Sequence, residues 1–194
     1  MKTIVRAGLF FIVMSLLTGI FYPAIITVIA QLFWPVLCHG NLIKEGNNVR
    51  GSAIIAQAFT GDEYFWPRPS ASDYSALPSS ASNLGPTSKK LKLEIALRRE
   101  RMAKAHDALP EEVPESLITT SGSGLDPDIT LEAAMFQAHR VAKARKLDDK
   151  GLIQLTALIE QKANKSFFSS PSSSYINVLL INLALDEAFG KIKR

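Results

Sequence analysis

Cysteine is almost absent from this sequence, since Cys38 is the only one among 194 residues. A single thiol excludes an intrachain disulfide and any Cys-rich zinc site. It does not identify the compartment, because a domain of about 150 residues buries enough apolar surface without covalent cross-links. The length leaves room for one membrane segment and one domain of that size.

The motifs of common catalytic sites are also missing. No phosphate-binding Gly-x4-Gly-Lys-[Ser/Thr] run or Gly-x-Ser-x-Gly elbow occurs. Gly122–Ser123–Gly124 begins like a dinucleotide fingerprint, but Pro127 stands at the third glycine position. The sequence therefore argues against an enzyme.

Histidine and metal-ligand patterns are equally sparse. The three histidines, His39, His106 and His139, are interpreted as surface residues. Asp126 and Asp128 resemble half of a calcium loop, but helix capping explains them better. We predict no catalytic, cofactor-binding or metal-binding residue.

Charge is absent from Ala7 to Ile43, and the most apolar part, Ala7–Ile29, has 23 residues. A helix of about 20 apolar residues crosses a bilayer. We therefore predict a transmembrane helix and interfacial exit at residues 7–34, with a cleaved signal peptide as the alternative.

The flanking charges favour one orientation. Lys2 and Arg6 precede the apolar run, so the positive-inside rule predicts a cytoplasmic N-terminus at residues 1–6 and a soluble, extracytoplasmic domain at residues 35–194. Without those two charges, the net charge of +4 becomes 20 basic against 18 acidic residues, or +2. That balance does not call for nucleic acid.

Small residues recur every four positions along the apolar segment, at Ser15, Gly19, Pro23 and Thr27. Such a stripe allows close helix packing in lipid. The alternative is that small residues are simply common in membrane helices and that Pro23 kinks this one.

The remaining sequence predicts an α+β, or small α/β, domain. Asn48–Phe59 is predicted to be extended, and the Ser-rich runs Ser70–Ser88 and Ser166–Ser174 are predicted loops. Leu117–Thr120 is a predicted short strand, and Tyr175–Leu185 a strand leading into a helix. Further predicted helices run from Thr87 or Ser88 to about Asp107, from a cap at Asp126, Asp128 or Thr130 to Lys146, and from Asp148 to Asn164.

Lys89–Lys104 carries seven basic and two acidic residues. Anionic lipid, a partner protein or simple solvation of a helix face can each account for this charge.

Several motifs, in order, resemble the KdpC family, the C subunits of Kdp-type potassium-transporting P-type ATPases. The resemblance covers almost the whole length and rests on these segments: Thr18–Gly19, Tyr22–Pro23, Gly40–Ile43, Arg50–Ala53, Gln57–Phe59, Tyr64–Ala71, Ser82–Leu84, Val113–Pro114, Ser121–Ile129, Gln137, Arg140–Ala142, Ala144–Arg145 and Asn182–Asp186. Ala56 and the pair Gly122–Ser123 depart modestly from the family pattern.

The resemblance implies a non-catalytic, single-pass subunit of a bacterial inner-membrane complex that imports potassium with high affinity at the expense of ATP. Its partners would be an ion-translocating subunit and an ATP-hydrolysing subunit that carries the phosphorylation site. The family is described both as needed for assembly and as a catalytic chaperone that raises ATP affinity. An extracytoplasmic domain favours the first role, and ATP is expected as a ligand only under the second.

Four residues in the matching motifs, Gln57, Arg68, Asn83 and Asp126, are candidate partner contacts. Their alternative role is to order the chain's own loops, through hydrogen bonds or helix capping.

Overall fold

A computed structural model describes residues 2–46, 48–164 and 174–192. The chain divides into two units, residues 1–42 and residues 43–194, and each is described by itself.

The first unit is helical. Helix α1 (Lys2–Leu16), a π-helical turn (Leu17–Phe21) and helix α2 (Tyr22–Phe33) follow one another, and a short helix α3 (Pro35–Cys38) comes after them. Together Lys2–Phe33 form a 32-residue helix with a mean hydropathy of 2.3. Within the described residues it is the one helix long and apolar enough to cross a membrane, as the sequence predicts.

The π-helical turn lies directly before Pro23. Proline lacks the N–H that would bond to the carbonyl of Gly19, and its ring crowds that carbonyl in a regular helix. Here Tyr22 N–H bonds to the carbonyl of Leu17, five residues back, so the widened turn accommodates the proline. The Thr18 hydroxyl donates to Met14 O at 2.8 Å, which satisfies a further acceptor beside this turn.

The second unit contains two small sheets. Strands β1 (Leu42–Glu45) and β2 (Asn48–Ser52) form one of them. Strands β3 (Asp128–Thr130) and β4 (Tyr175–Asn177) pair antiparallel in the other, with Ile129 opposite Ile176. Both isoleucines are almost fully buried, so this short sheet contributes directly to the core.

The second unit has four longer helices among its described residues, and each begins at a polar cap. The Ser88, Thr130, Asp148 and Asn177 side chains accept N–H bonds at the starts of the four helices. In chain order these helices are α4 (Lys89–Ala105), α5 (Leu131–Ala144), α6 (Asp149–Lys162) and α7 (Val178–Phe189).

Apolar faces of α5, α6 and α7 meet in the main core. Its largest buried side chains come from these helices, from the second sheet and from two loops: Phe65, Leu117, Ile129, Val141, Leu155, Ile159, Ile176, Ile181 and Leu185. Each such side chain contributes about 1.5–3 kcal/mol by leaving water. Helices combined with two small sheets confirm the α+β prediction.

Two local predictions need correction, and a third lies mostly outside the described residues. Leu117–Thr120 is not a strand, because Leu117 ends a 3₁₀ turn (Glu115–Leu117) and is followed by Ile118; both are buried, without the alternation of a strand. The extended segment predicted at residues 48–59 is a strand only to Ser52. Of the second Ser-rich loop, only Ser174 is described.

Candidate functional site

The centre of the second unit is a loop whose main chain is held by buried side chains. The segment Asp62–Trp66 has no strand partner of its own. Four side chains, which we call the clasp, bind its carbonyl and N–H groups instead: Gln137, Arg140, Arg145 and Asn182. Helix α5 carries the first two, Arg145 directly follows α5, and α7 carries Asn182.

Two amide side chains of the clasp make the backbone hydrogen bonds that a neighbouring strand would otherwise make. The Gln137 Oε1 atom accepts from Trp66 N at 2.7 Å, and its Nε2 atom donates to Trp66 O at 3.1 Å. Asn182 makes the same pair with Phe65, at 2.8 and 3.0 Å. Both amides are buried, so all four bonds are protected from competing water.

Arg140 brings a positive charge into the clasp. Its two Nη atoms donate to the carbonyls of Asp62 and Tyr64, and Nη2 also reaches Gln137 Oε1 at 2.9 Å. Its Nε atom donates to His106 Nε2 at 3.0 Å. Arg140 as a whole is only 6% exposed. Burial lowers the pKa of its guanidinium to about 10. It therefore stays charged at neutral pH, and both the loop carbonyls and the nearby carboxylates of Asp62 and Glu63 stabilise its charge.

Aromatic rings complete the surroundings of Arg140. Its guanidinium carbon lies 4.0 Å from the ring centre of Trp66, in a cation–π contact. His106 lies edge-on to Trp66 and 4.7 Å from the ring centre of Phe136. The Trp66 ring is thus held between two contacts, with the Arg140 guanidinium over one face and the His106 imidazole perpendicular to it.

His106 is not the surface residue that the sequence predicts. It is half-buried, and its partners determine the tautomer: Nδ1–H donates to Met102 O at 2.8 Å, and Nε2 accepts from Arg140. Burial lowers the pKa of His106 to about 4, and the Arg140 charge acts in the same direction. The neutral imidazole is therefore part of the fold. His39 and His139 are exposed, as predicted.

Arg145 holds the other side of the same loop. It donates to Glu63 O at 2.8 Å and Gly190 O at 2.9 Å, and it pairs with Asp186 at 2.7 Å. The second oxygen of Asp186 accepts from the Tyr64 hydroxyl at 3.0 Å. Burial, assisted by that hydrogen bond, raises the pKa of Tyr64.

Two clefts flank the clasp. The larger has a volume of about 800 Å³ and is lined by, among others, Asp62, His106, Glu112, His139 and Arg140. In the described ranges no three His, Cys, Asp or Glu side chains converge in a way that could hold a metal ion. The larger cleft therefore offers mixed polar contacts and no assembled metal site.

The second cleft, of about 460 Å³, lies beside α4 and is lined by aromatic and basic groups, among them Trp66, Tyr74, Arg98 and Arg101. Its polar groups are mostly occupied already. Arg98 pairs with Glu94 at 3.1 Å and donates to a carbonyl, and the Tyr74 hydroxyl donates to Arg68 O at 2.8 Å.

The structure brings two of the four predicted contact residues together. Arg68 Nη1 pairs with Asp126 Oδ2 at 2.8 Å, and Asp126 Oδ1 accepts from Asp128 N at 3.1 Å. Asp126 thus joins the two loops, and Thr130 caps α5 in its place. This geometry orders the loops and leaves open whether a partner also contacts the pair.

Gln57 and Asn83 lie apart from that pair. The Gln57 Nε2 atom donates to Arg50 O at 3.3 Å. The Oε1 atom of Gln57 would clash with a Cβ at position 51, where glycine has a φ of +156°. Gly51 therefore permits this close approach. Asn83 is exposed and adopts a left-handed backbone, with a φ of +51°.

The predicted packing stripe lies wholly on exposed positions of the apolar helix. Ser15 is in α1, Gly19 is in the π-helical turn, and Pro23 and Thr27 are in α2. A Cβ on Gly19 would meet no atom of the chain within 4 Å, so its small size is not required by internal contacts.

Sequence reasoning did not single out the clasp as a site, although its residues occur in the quoted motifs. One signal was available. Gln137 and Arg140 lie on the same face of α5 as Ala133, Ala134 and Val141, a face that the apolar spacing assigns to the core. Polar residues on such a face must find buried partners.

Comparison with known proteins agrees with the motifs. Residues 4–187 match the family described as "K+-transporting ATPase, c chain", KdpC. A potassium-transporting ATPase KdpC subunit of Rhodospirillum rubrum is 45% identical over 191 residues, covering 97% of each chain. The KdpC subunit of Serratia proteamaculans is 43% identical, covering 90% of this chain and 93% of the relative. The KdpC subunit of Leptospira interrogans is 41% identical, with 93% and 92% covered.

A family match over nearly the full length, with relatives above 40% identity along both chains, agrees with an apolar N-terminal helix and an α+β domain. This chain belongs to the KdpC family, the c subunits of potassium-transporting ATPases.

Proposed function

We propose that this chain is a non-catalytic accessory subunit of a high-affinity, ATP-driven potassium import complex and is needed for the assembly and stability of that complex. The observation that carries the proposal is the clasp. Its buried Gln137, Arg140, Arg145 and Asn182 side chains are hydrogen-bonded to the domain's own main chain. The most strongly organised polar groups therefore serve folding, and we place the phosphorylation chemistry on another subunit.

The proposal includes a location. The apolar helix spans the bacterial inner membrane once, with Lys2 and Arg6 at its cytoplasmic end, and the domain lies outside the cytoplasm. A domain there can brace the ion-translocating subunit or shape the entry of the ion.

The contacts are proposed at two places. The stripe of Ser15, Gly19, Pro23 and Thr27 packs on a helix of the ion-translocating or ATP-hydrolysing subunit, because small side chains let two backbones approach. In the domain, Gln57, Arg68, Asn83 and Asp126 are the candidate contacts.

The assembly role is tested by enlarging one residue of the stripe. Gly19→Leu adds bulk on the stripe, where a Cβ meets no atom of this chain, and Ala7→Leu, an exposed small residue off the stripe, is the control. With a tagged ion-translocating subunit, we expect Gly19→Leu to reduce the amount of this chain that co-purifies and Ala7→Leu to leave it unchanged. Equal recovery of both variants would count against the stripe as a docking face.

The location is tested separately with protease. Protease added to intact spheroplasts should digest the domain and leave a cytoplasmic marker protein intact. Full protection of the domain under these conditions would overturn the extracytoplasmic assignment.

A second candidate function is that of a catalytic chaperone, which raises the ATP affinity of the ATP-hydrolysing subunit through a transient ternary complex. This candidate requires the domain to lie in the cytoplasm, because a domain outside it cannot meet cytoplasmic ATP. The 460 Å³ cleft favours it, because aromatic rings and the unpaired Arg101 can contact a base and a phosphate. Arg101→Ala should then raise the KM for ATP in the assembled complex. An unchanged KM, with normal assembly, would remove this candidate.

A further inference from the structure

Helix α4 turns an unusual face to solvent. Lys89, Leu93, Leu97 and Arg101 follow at intervals of four, so they lie one above the other on the helix surface. Two lysines lie beside this line: Lys90 is three residues before Leu93, and Lys104 is seven residues after Leu97. We call these six residues the basic stripe. The two leucines at its centre are 62% and 57% exposed.

The charges of the basic stripe are largely uncompensated. Within the described part of the chain, Lys89, Arg101 and Lys104 make no ion pair, and Lys90 is 4.0 Å from Glu94, which pairs more closely with Arg98. Glu100, which is exposed, lies on the same side of α4, four residues before Lys104, so one exposed carboxylate faces the four cations of the stripe. Lys92, beside the stripe, adds another exposed cation.

The opposite face of α4 explains why the leucines are not needed for folding. Ile95, Met102 and Ala103 pack on the smaller hydrophobic cluster around Val113 and Ile118. Leu93 and Leu97 lie away from that contact, so most of their apolar surface stays in water, which is unfavourable. A helix face with exposed leucines and unpaired cations is suited to a surface that offers both apolar contacts and negative charge.

We propose that the basic stripe of α4 lies on the surface of a bilayer containing anionic lipid. The lysines and Arg101 would meet the headgroup phosphates, while Leu93 and Leu97 would enter the boundary between headgroups and acyl chains. Charge complementarity selects this occupant: each cation near an anionic membrane strengthens binding about fivefold. The chain's own apolar helix keeps the domain at a high effective concentration near the bilayer.

The stripe is convex, since it follows one side of a helix, and only Arg101 among its members lines a cleft. A flat, laterally adaptable surface therefore suits it better than a protruding protein segment, which would need a groove. The inference does not depend on the accessory role, because it concerns the chain alone in a membrane.

The test uses the full chain with Cys38→Ser and a nitroxide attached at Leu93→Cys, in vesicles of phosphatidylcholine with or without about one quarter phosphatidylglycerol. We expect collisions with a water-soluble nickel chelate to fall severalfold only in the anionic vesicles. Raising the salt to about 1 M, which shortens the screening length to about 3 Å, should restore them.

Two controls separate lipid binding from general proximity. A nitroxide at Ile153→Cys reports on α6. Ile153 is exposed, and α6 carries two acidic and two basic residues, so it has no net charge. We expect this label to stay accessible in both vesicle types. The triple variant Lys89→Glu, Lys92→Glu and Lys104→Glu, in the Leu93→Cys chain, should lose the protection and keep the same Trp66 fluorescence.

Three results would overturn the proposal. The label at Leu93 could remain in water in both vesicles, or it could be protected equally in both regardless of salt. It could also become protected only when the other subunits of the complex are added. The third result would assign the basic stripe to an acidic partner protein.

Discussion

At the scale of single residues, Arg140 connects most of the domain's central contacts. It contacts two loop carbonyls, one amide and one imidazole while 6% exposed. Lysine cannot reproduce the planar fork that reaches these acceptors in different directions.

We therefore expect Arg140→Lys to lower the free energy of unfolding by about 3 kcal/mol, because hydrogen bonds from charged groups contribute about 1.5–3 kcal/mol each. Denaturant unfolding of the full chain in detergent, followed by Trp66 fluorescence in a Trp34→Phe background, measures this. Lys143→Met is the control on the same helix, since Lys143 is exposed and pairs only with exposed Asp107. If both variants unfold at the same denaturant concentration, the assigned role of Arg140 is wrong.

Gln137 permits a narrower test of the clasp. Gln137→Leu keeps the approximate volume but leaves the N–H and carbonyl of Trp66 without partners, which should cost about 2–4 kcal/mol. The Trp66 amide should also exchange its hydrogen faster in the folded protein. Gln154→Leu, at an exposed position of α6, should change neither quantity. Unaltered exchange at Trp66 in Gln137→Leu would contradict the assigned hydrogen bonds.

His106 predicts a dependence of stability on pH. Its pKa is about 4 in the fold and near the ordinary 6.5 when unfolded, so between these values the unfolded chain binds more protons. Stability from this group is therefore complete above about pH 6.5 and is lost as the pH falls towards 4. Arg140 opposes protonation of the ring, whereas Asp62 and Asp107 favour it.

We expect the chain with His106 to lose more thermal stability than the His106→Gln variant between pH 7 and pH 4.5, measured by Trp66 fluorescence with both proteins in the Trp34→Phe background. The comparison removes the contribution of His39 and His139, which both proteins share. Parallel loss in the two proteins would show that His106 does not carry the effect.

The environment of His106 illustrates what a sequence leaves undetermined at this scale. His106 follows the basic stretch Lys89–Lys104, which indicates an exposed helix end. Its burial follows from the packing of α4 against α5, which brings Phe136 and Trp66 around it from distant parts of the chain. The residues next to His106 in the sequence do not indicate that packing.

At the scale of elements, polar caps determined where helices begin. Ser88 is one of two caps predicted for α4, Thr130 is one of three predicted for α5, and Asp148 is the one predicted for α6; each accepts the expected backbone N–H. This success has a local cause, because a cap satisfies donors within three residues of itself.

The cap of α5 can be tested directly. Thr130 accepts from Ala133 N at 3.1 Å and lies 3.2 Å from the Ser116 hydroxyl. Thr130→Ala should lower the free energy of unfolding by about 1 kcal/mol, whereas Thr130→Ser should retain most of it. Thr156→Ala, at a half-buried position of α6 whose hydroxyl donates only to the carbonyl of Ile153, supplies the baseline. Equal unfolding of the alanine and serine variants at position 130 would exclude capping as the cause.

Elements that depend on distant partners were harder to predict. The Leu117 region alternates poorly and was read as a strand, yet it forms a 3₁₀ turn because both Leu117 and Ile118 have core positions to fill. The π-helical turn before Pro23 was foreseen only as a possible kink. In both cases neighbouring groups decide between conformations that the local residues allow.

At the scale of the whole molecule, the ion pair of Arg68 and Asp126 joins loops separated by 58 positions. Its side chains are about 30% exposed, so the pair can order the loops and still face a partner. The motifs identified both residues, but their pairing follows from the tertiary fold.

A charge exchange separates these two roles. Arg68→Met or Asp126→Asn should each cost about 1 kcal/mol of stability. The exchange Arg68→Asp with Asp126→Arg should recover part of that loss if the pair acts only within the chain. Thermal unfolding and co-purification with the other subunits are measured together. Recovered stability with recovered assembly would remove Arg68 and Asp126 from the partner contacts, and recovered stability with lost assembly would retain them.

The clasp also has a consequence for biosynthesis. Phe65 is held by Asn182, 117 positions later, and Glu45 by Lys191, 146 positions later. A ribosome makes the membrane helix before the Asp62–Trp66 loop and α7 after it, so the loop lacks the Asn182 part of the clasp until α7 has been made. Under the extracytoplasmic location proposed above, the domain would therefore still be incompletely folded while its anchor inserts, which is the state that a protein-conducting channel accepts.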